Sequence, residues 1–176
     1  MVIKWLVILM LILLPAAYSY GQNSDIPHEF TVKAKYLLNM PLFAETNAKV
    51  SDSKSYAICL VGDTPLEGIL ASSNGLVIKN LPLAVLKVEE LSQLGSCQTL
   101  FIASSERYRL QALLSEAHRQ GIITIGDMRD FAHLGGMIGL FTIDNRVTFD
   151  LNLYAAGKAS ISFSSHVLKL ARDIIK

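Results

Sequence analysis

The sequence predicts an α/β fold. The expected architecture is a layered sandwich with a central mixed β-sheet flanked by helices, ending in a C-terminal β-hairpin followed by a helix. Three observations predict it. Short apolar runs of strand length recur at residues 56–61, 97–103 and 122–125. Helical periodicities and capping signals separate them, as an α/β order requires. Two further runs, 137–143 and 147–153, are joined only by Asp144-Asn145, which reads as a hairpin turn. A closing hairpin rules out an all-parallel sheet.

The first element is a leader. Lys4 precedes a ten-residue apolar run, Trp5 to Leu14, and then Pro15-Ala-Ala-Tyr-Ser. A basic flank, a short apolar run and small residues form the pattern of a secretory signal peptide. A membrane span needs about 20 apolar residues, roughly twice this run. Ala17 and Ser19 stand at −3 and −1 for a cut before Tyr20. The expected organisation is a signal peptide over 1–19 and a single domain over 20–176. An uncleaved N-terminal anchor is the alternative.

Residues 28–43 follow as a helix, with Phe30, Ala34, Leu37 and Leu38 on one stripe and Tyr36, Met40 and Phe43 on a second. Pro41 lacks an amide hydrogen and should kink or end it. Tyr56 to Val61 is the first strand. Asp63 or Thr64 should cap a short helix opened by Pro65. Asn74-Gly75 marks a turn, and Leu76–Ile78 and Leu83–Val88 are separated by Lys79 to Pro82. Ser104 or Ser105 should cap a helix running to His118, with Leu110, Leu113, Leu114 and Ala117 on its stripe and Gly121 ending it. A brief helical stretch is expected at Met128 to Leu134. Val147, Phe149, Leu151 and Leu153 alternate with Thr148, Asp150 and Asn152, the pattern of a half-buried strand. Ser164 or Ser165 should cap a final helix, with Val167, Leu168, Ala171, Ile174 and Ile175 facing the core.

A cut after Ser19 leaves 157 residues, enough for one real hydrophobic core. Those residues hold 15 Lys+Arg against 15 Asp+Glu. Such a balance carries no electrostatic footprint for nucleic acid. Two cysteines remain, Cys59 and Cys97. In an exported chain an even pair favours a disulfide, and two buried free thiols are the alternative. No Cys-x-x-Cys motif is present for redox catalysis.

Tests for chemistry return little. No phosphate-binding glycine motif is present; Gly135-Gly136 precedes a strand rather than a helix. His28, His118, His133 and His166 occur singly, without metal-ligand spacing. No G-x-S-x-G frames a serine nucleophile. Asp63 and Asp127 are the best carboxylate candidates, since both follow strands at the ends where α/β sheets bind ligands. Both also suit a helix-cap role.

Several segments together resemble the YfiR-like family. Lys33-Ala34-Lys35-Tyr36-Leu37-Leu38-Asn39, with Phe43, is similar to its opening helix, typically K-A-x-[FY]-[LI]-x-N-F-x-x-F-x-x-W-P. Ile58 to Asp63 with Pro65 resembles its first strand, and Cys97 to Glu106 its next landmark. Ile125-Gly126-Asp127, Phe131-Ala132, Gly135 to Ile138, Asn145-Arg146-Val147, Phe149, Asn152 and Ser164-Ser165 complete the order. Met40 stands where the family has Phe, and Thr46-Asn47 where it has Trp-Pro. The resemblance implies a periplasmic α/β protein that is not an enzyme and uses no cofactor. It further implies that Cys59 and Cys97 form a structural disulfide. Some members carry a second Cys pair near the Gly-Gly segment; this chain does not.

The expected function is therefore a periplasmic regulator. It would bind the periplasmic sensor domain of an inner-membrane signalling protein, repressing a diguanylate cyclase and so cyclic di-GMP synthesis and biofilm formation. Tyr36, Met40 and Phe43 are the expected partner contacts, because they add an apolar stripe beyond one core face. Homodimerisation stays open. The alternative is a periplasmic small-ligand-binding module acting with another receptor, such as a histidine kinase, with the ligand near Asp127, Ser165 and His166.

Overall fold

The computed structural model describes residues 27–46 and 53–176. The expected leader and its cut lie outside the described residues. Eight strands form one mixed sheet in the order β10-β8-β7-β6-β5-β2-β4-β3. These are β2 (Tyr56–Val61), β3 (Val77–Ile78), β4 (Leu81–Lys87), β5 (Thr99–Ile102), β6 (Ile123–Gly126), β7 (Ile138–Ile143), β8 (Arg146–Asn152) and β10 (Asp173–Ile175). β4, β2, β5, β6 and β7 run parallel, each to its neighbour. β7 and β8 form the expected antiparallel hairpin. A separate antiparallel ribbon pairs β1 (Ala44–Thr46) with β9 (Ile161–Phe163).

The central strands are apolar on both faces because both faces are covered. Every residue of β2, β5 and β6 is buried. On one face Ile58, Leu60, Phe101 and Ile125 pack with α1 (His28–Asn39) and α2 (Leu66–Ala71). On the other Cys59, Val61, Leu100 and Ile102 pack with α3 (Leu110–Gln120). Two-sided burial is the usual condition of parallel strands and explains their continuous apolar runs. Cys59 and Cys97 are joined, with Cα atoms 5.7 Å apart, so the disulfide alternative is the correct one. It ties β2 to the start of β5 within the α3-side core.

Helix ends follow local chemistry, with exceptions. Pro41 ends α1, and Met40–Phe43 continues as a 3₁₀ turn. Gly121 takes the left-handed conformation at φ 71°, which spares a side chain the usual strain and closes α3. The Thr64 hydroxyl accepts the Leu66 amide at 3.2 Å, satisfying one free donor at the start of α2.

Several expectations are corrected. Ser104 and Ser105 cap no helix: they open a 3₁₀ segment, Ser104–Arg109, and Ser105 Oγ accepts the Asp63 amide instead. Met128 to Leu134 forms turns, because Asp130 adopts φ 61°, which interrupts a right-handed helix. Lys79 and Asn80, both at positive φ, make a tight turn, so β4 starts two residues earlier than Leu83. Leu153 is not in β8 but opens α4 (Leu153–Lys158), whose start is capped by Asn152 Oδ1 accepting the Ala155 amide at 2.8 Å. β8 is not half-buried along its length: Asp150 and Asn152 are buried too. The final helix, α5 (Ser165–Leu170), stops early, and Ser164 makes no side-chain cap. Ile174 and Ile175 belong instead to β10, which runs parallel to β8.

Candidate functional site

Two surface features stand out, and α1 contributes to both. The first is an apolar groove of about 320 Å³ between α1 and α5. Val32, Tyr36, Met40 and Phe43 supply one wall, Val167 and Leu170 the other, and Phe149 of β8 the floor. The helical spacing of Val32, Tyr36 and Met40 places them one turn apart on one side of α1. Phe149 faces them because it lies on the inward side of the β8 alternation. Tyr36 meets Phe149 edge-on with ring centroids 5.6 Å apart, and its hydroxyl donates to the Val147 carbonyl at 3.3 Å. Phe43 stacks on His166 at 5.6 Å.

Two of the lining apolar side chains stay in solvent, Leu170 at 60% exposed and Phe43 at 37%, and Leu42, next to Phe43 in the chain, is 51% exposed. At roughly 25 cal/mol per Å² such surface is a standing free-energy debt unless something covers it. Tyr36, Met40 and Phe43 all line this groove, but at different depths. Met40 is only 4% exposed and belongs to the core, so it underlies the groove rather than reaching out of it. Within the 3₁₀ turn Met40–Phe43, Phe43 faces outward while Met40 stays beneath.

The second feature is a polar cleft beyond the ends of β6 and β7, lined by Glu29, Lys33, Asp127, Asp150, Arg172 and the Phe141 ring among others. Lys33 is the unexpected member. Its ammonium lies 3.1 Å from Asp127 Oδ2, 3.9 Å from Glu29 and 4.7 Å from the Phe30 ring centroid. The side chains of Lys33 and Asp127 are 7% and 12% exposed. Lys33 falls between Phe30 and Leu37 on the core stripe, at the i+3 position. A lysine inside an apolar stripe was the available signal, since such a residue needs a buried counter-charge. Asp127 Oδ1 is buried with no hydrogen-bond partner among the described residues. Nearby, Arg172 grips buried Asp150 through two nitrogens, at 2.8 and 2.5 Å, and covers the Phe141 ring. Hydrogen bonding to Asp150 raises the Arg172 pKa further above its ordinary value.

The structure does not gather the three ligand candidates. Asp127 lines the polar cleft, which neither Ser165 nor His166 lines. Ser165 and His166 are exposed at the start of α5, where His166 meets Phe43. Asp63 is exposed after β2. His133 faces Asp173 at 3.6 Å, and His118 is partly buried on α3, where desolvation first and Lys158 second hold its pKa down. Among the described residues no cluster of three or more His, Cys, Asp or Glu could hold a metal ion. No helix among them is long and apolar enough to cross a membrane.

Comparison with known proteins adds two kinds of finding. Residues 30–172 match the sequence profile of the family described as YfiR/HmsC-like. No curated protein matches the chain significantly. Among solved structures, a conserved domain protein from Vibrio cholerae O1 biovar El Tor strain N16961 is similar at a TM-score of 0.51 and 11% identity. The match covers 84% of this chain and 60% of that one, so this chain spans less than two thirds of its length. At that identity the likeness supports the fold alone. The ABC domain in complex with L-Trp from Streptococcus pneumoniae reaches a TM-score of 0.49 at 9% identity, over 72% of this chain and 57% of that one. That likeness is too slight to carry an argument.

Proposed function

Because this chain belongs to the YfiR/HmsC-like family, we propose that it is an exported, non-enzymatic regulator that works in the periplasm. It docks on the periplasmic sensor domain of an inner-membrane signalling protein. The partner is a diguanylate cyclase, and docking restrains cyclic di-GMP synthesis and with it biofilm formation. The observation that carries this reading is the apolar groove between α1 and α5, whose lining includes exposed Leu170 and Phe43.

Docking regulates only if it favours one state of the sensor over another. Reversing a two-state balance from 1:99 to 99:1 takes about 5.5 kcal/mol of differential affinity. Truncating an interface anchor costs about 2 kcal/mol or more, so about three side chains seated in this groove in only one state of the sensor reach that figure. A signal that empties the groove would then release the cyclase.

The test pairs binding with output. Purified periplasmic domains of the membrane cyclases encoded in the source genome are presented to the wild-type protein and to Leu170→Asp. The expected result is that one domain is retained by the wild type and lost by the variant, and that cells carrying the variant raise cyclic di-GMP. Wild-type protein that retains no cyclase domain, with unchanged cyclic di-GMP after gene deletion, sinks the reading.

The polar cleft favours a second reading. A ligand-binding module acting with another receptor, such as a histidine kinase, would use the unpartnered Asp127 Oδ1 and the adjacent cations. Calorimetry with periplasmic metabolite pools separates the two: tight small-molecule binding without any protein partner supports the second.

A further inference from the structure

We infer that the partner segment seated in the α1–α5 groove is an amphipathic helix whose apolar anchors are flanked by carboxylates. This inference rests on the docking reading above and specifies the chemistry of its partner.

The case for a helix comes from what the groove offers to a backbone. Its lining is side chains of α1, the 3₁₀ turn and α5 over Phe149. β8, the strand beneath, is paired on both edges, to β7 and to β10. The groove floor itself therefore offers no free strand edge to an added strand. An extended partner would press unpaired amides and carbonyls against Val32, Phe43, Val167 and Leu170, which cannot satisfy them. A helix satisfies its own backbone and presents apolar side chains one turn apart, the usual mode of recognition in such grooves.

The case for carboxylates comes from the charges around it. Lys35 is the one ionisable side chain besides Tyr36 among the lining residues. It forms no ion pair among the described residues. Lys169 forms none either, and stands three residues after His166, on the side of α5 that meets Phe43. The acids that could have balanced them are engaged elsewhere. Glu29, the only acid on α1, accepts from Thr142 at 2.8 Å and leans toward Lys33. α5 has no acid at all. Asp150 is gripped by Arg172. An apolar trough with one ammonium outside any ion pair in its lining, Lys35, and a second exposed on the adjoining helix α5, Lys169, selects apolar anchors between negative charges. Complementary rim charge acts mainly on encounter rate and specificity, and salt screens it.

The experiment uses two helix-constrained peptides with leucines on three successive turns, one flanked by glutamates and one by lysines. Affinity is read by fluorescence anisotropy against wild type, Lys35→Glu/Lys169→Glu and Leu170→Asp. The Glu-flanked peptide is expected to bind about tenfold more tightly than the Lys-flanked one at low salt, with the gap closing at high salt. The double charge variant should reverse the preference, and Leu170→Asp should abolish binding of both. Equal affinity for the two peptides, still lost in Leu170→Asp, overturns the acidic partner and leaves the docking groove standing. No binding by either peptide, or binding indifferent to Leu170→Asp, overturns both. All variants sit at exposed positions, so a melting curve matching the wild type is expected of each.

Discussion

Replacing Lys33 by methionine should be among the most damaging single changes in α1. Methionine keeps most of the aliphatic stem and removes the ammonium. What remains is Asp127 with Oδ2 stripped of its Lys33 partner at 3.1 Å and Oδ1 already without a partner among the described residues. Breaking a buried pair from one side costs about 3–5 kcal/mol, because an uncompensated charge stays behind. That is roughly a fifth or more of a typical domain stability of about 5–15 kcal/mol. With a urea m-value of roughly 2 kcal/mol/M, the unfolding midpoint falls by roughly 2 M. Asp127→Leu should cost a similar amount by stranding Lys33. The double variant Lys33→Met/Asp127→Leu should recover to within about 1 kcal/mol of wild type, since both desolvation penalties vanish together. Urea denaturation of the four proteins gives the cycle directly. Native-state hydrogen exchange should show α1 opening first in Lys33→Met, and α1 carries a groove wall. Single variants that each lose under about 1 kcal/mol, or losses that simply add in the double, refute the claim that this pair anchors the helix.

The remaining predictions concern the staple, a histidine and a glycine. Cys59 and Cys97 are 38 residues apart, so in the chain-entropy account Cys59→Ala/Cys97→Ala loses about 4 kcal/mol, seen as a melting temperature roughly 8–16 °C lower by calorimetry; a shift under 3 °C contradicts it. The folded-state pKa of His118 is held below its ordinary value, chiefly by burial and then by Lys158. A depressed histidine stabilises the fold above its unfolded pKa, about 6.5, and that contribution is lost as pH falls through the folded value. The pH–stability slope below about 6.5 should therefore flatten in His118→Gln, and an identical slope by pH-jump denaturation argues against it. Gly136 lies so close to the buried Phe131 ring that an added Cβ would overlap Cε1. Gly136→Ala should lose about 1–3 kcal/mol of stability by overpacking, and urea titration checks this.

Residues with one-dimensional signatures were legible in advance. β2 begins and ends where its apolar run does, because a strand buried on both faces admits a polar group only where it finds a hydrogen-bond partner, as the Tyr56 hydroxyl does at Thr99. Pro41 ended α1 and Gly121 ended α3 for purely local reasons, a missing amide and a left-handed φ. The hairpin turn at Asp144-Asn145 was equally local, with both residues at positive φ. The stripe of Tyr36 and Phe43 was visible too, since helical spacing is written in the chain.

Other features were decided only by packing. Ile174 and Ile175 continue a helical pattern as well as they begin a strand, and the open edge of β8 settled the choice by offering backbone partners. Met40 and Phe43 read alike as apolar residues of one stripe; the 3₁₀ turn buries one and exposes the other. The separation of Asp127 from Ser165 and His166 could not be read either, because nothing local fixes the distance between a strand end and a helix 38 residues later. The sequence alone determined the layered α/β class and the cysteine pair open to bridging, since periodicity and residue type are local properties. Which lysine must be neutralised, and which apolar side chains are left facing water, were fixed by tertiary contacts, because burial belongs to surfaces brought together from distant parts of the chain.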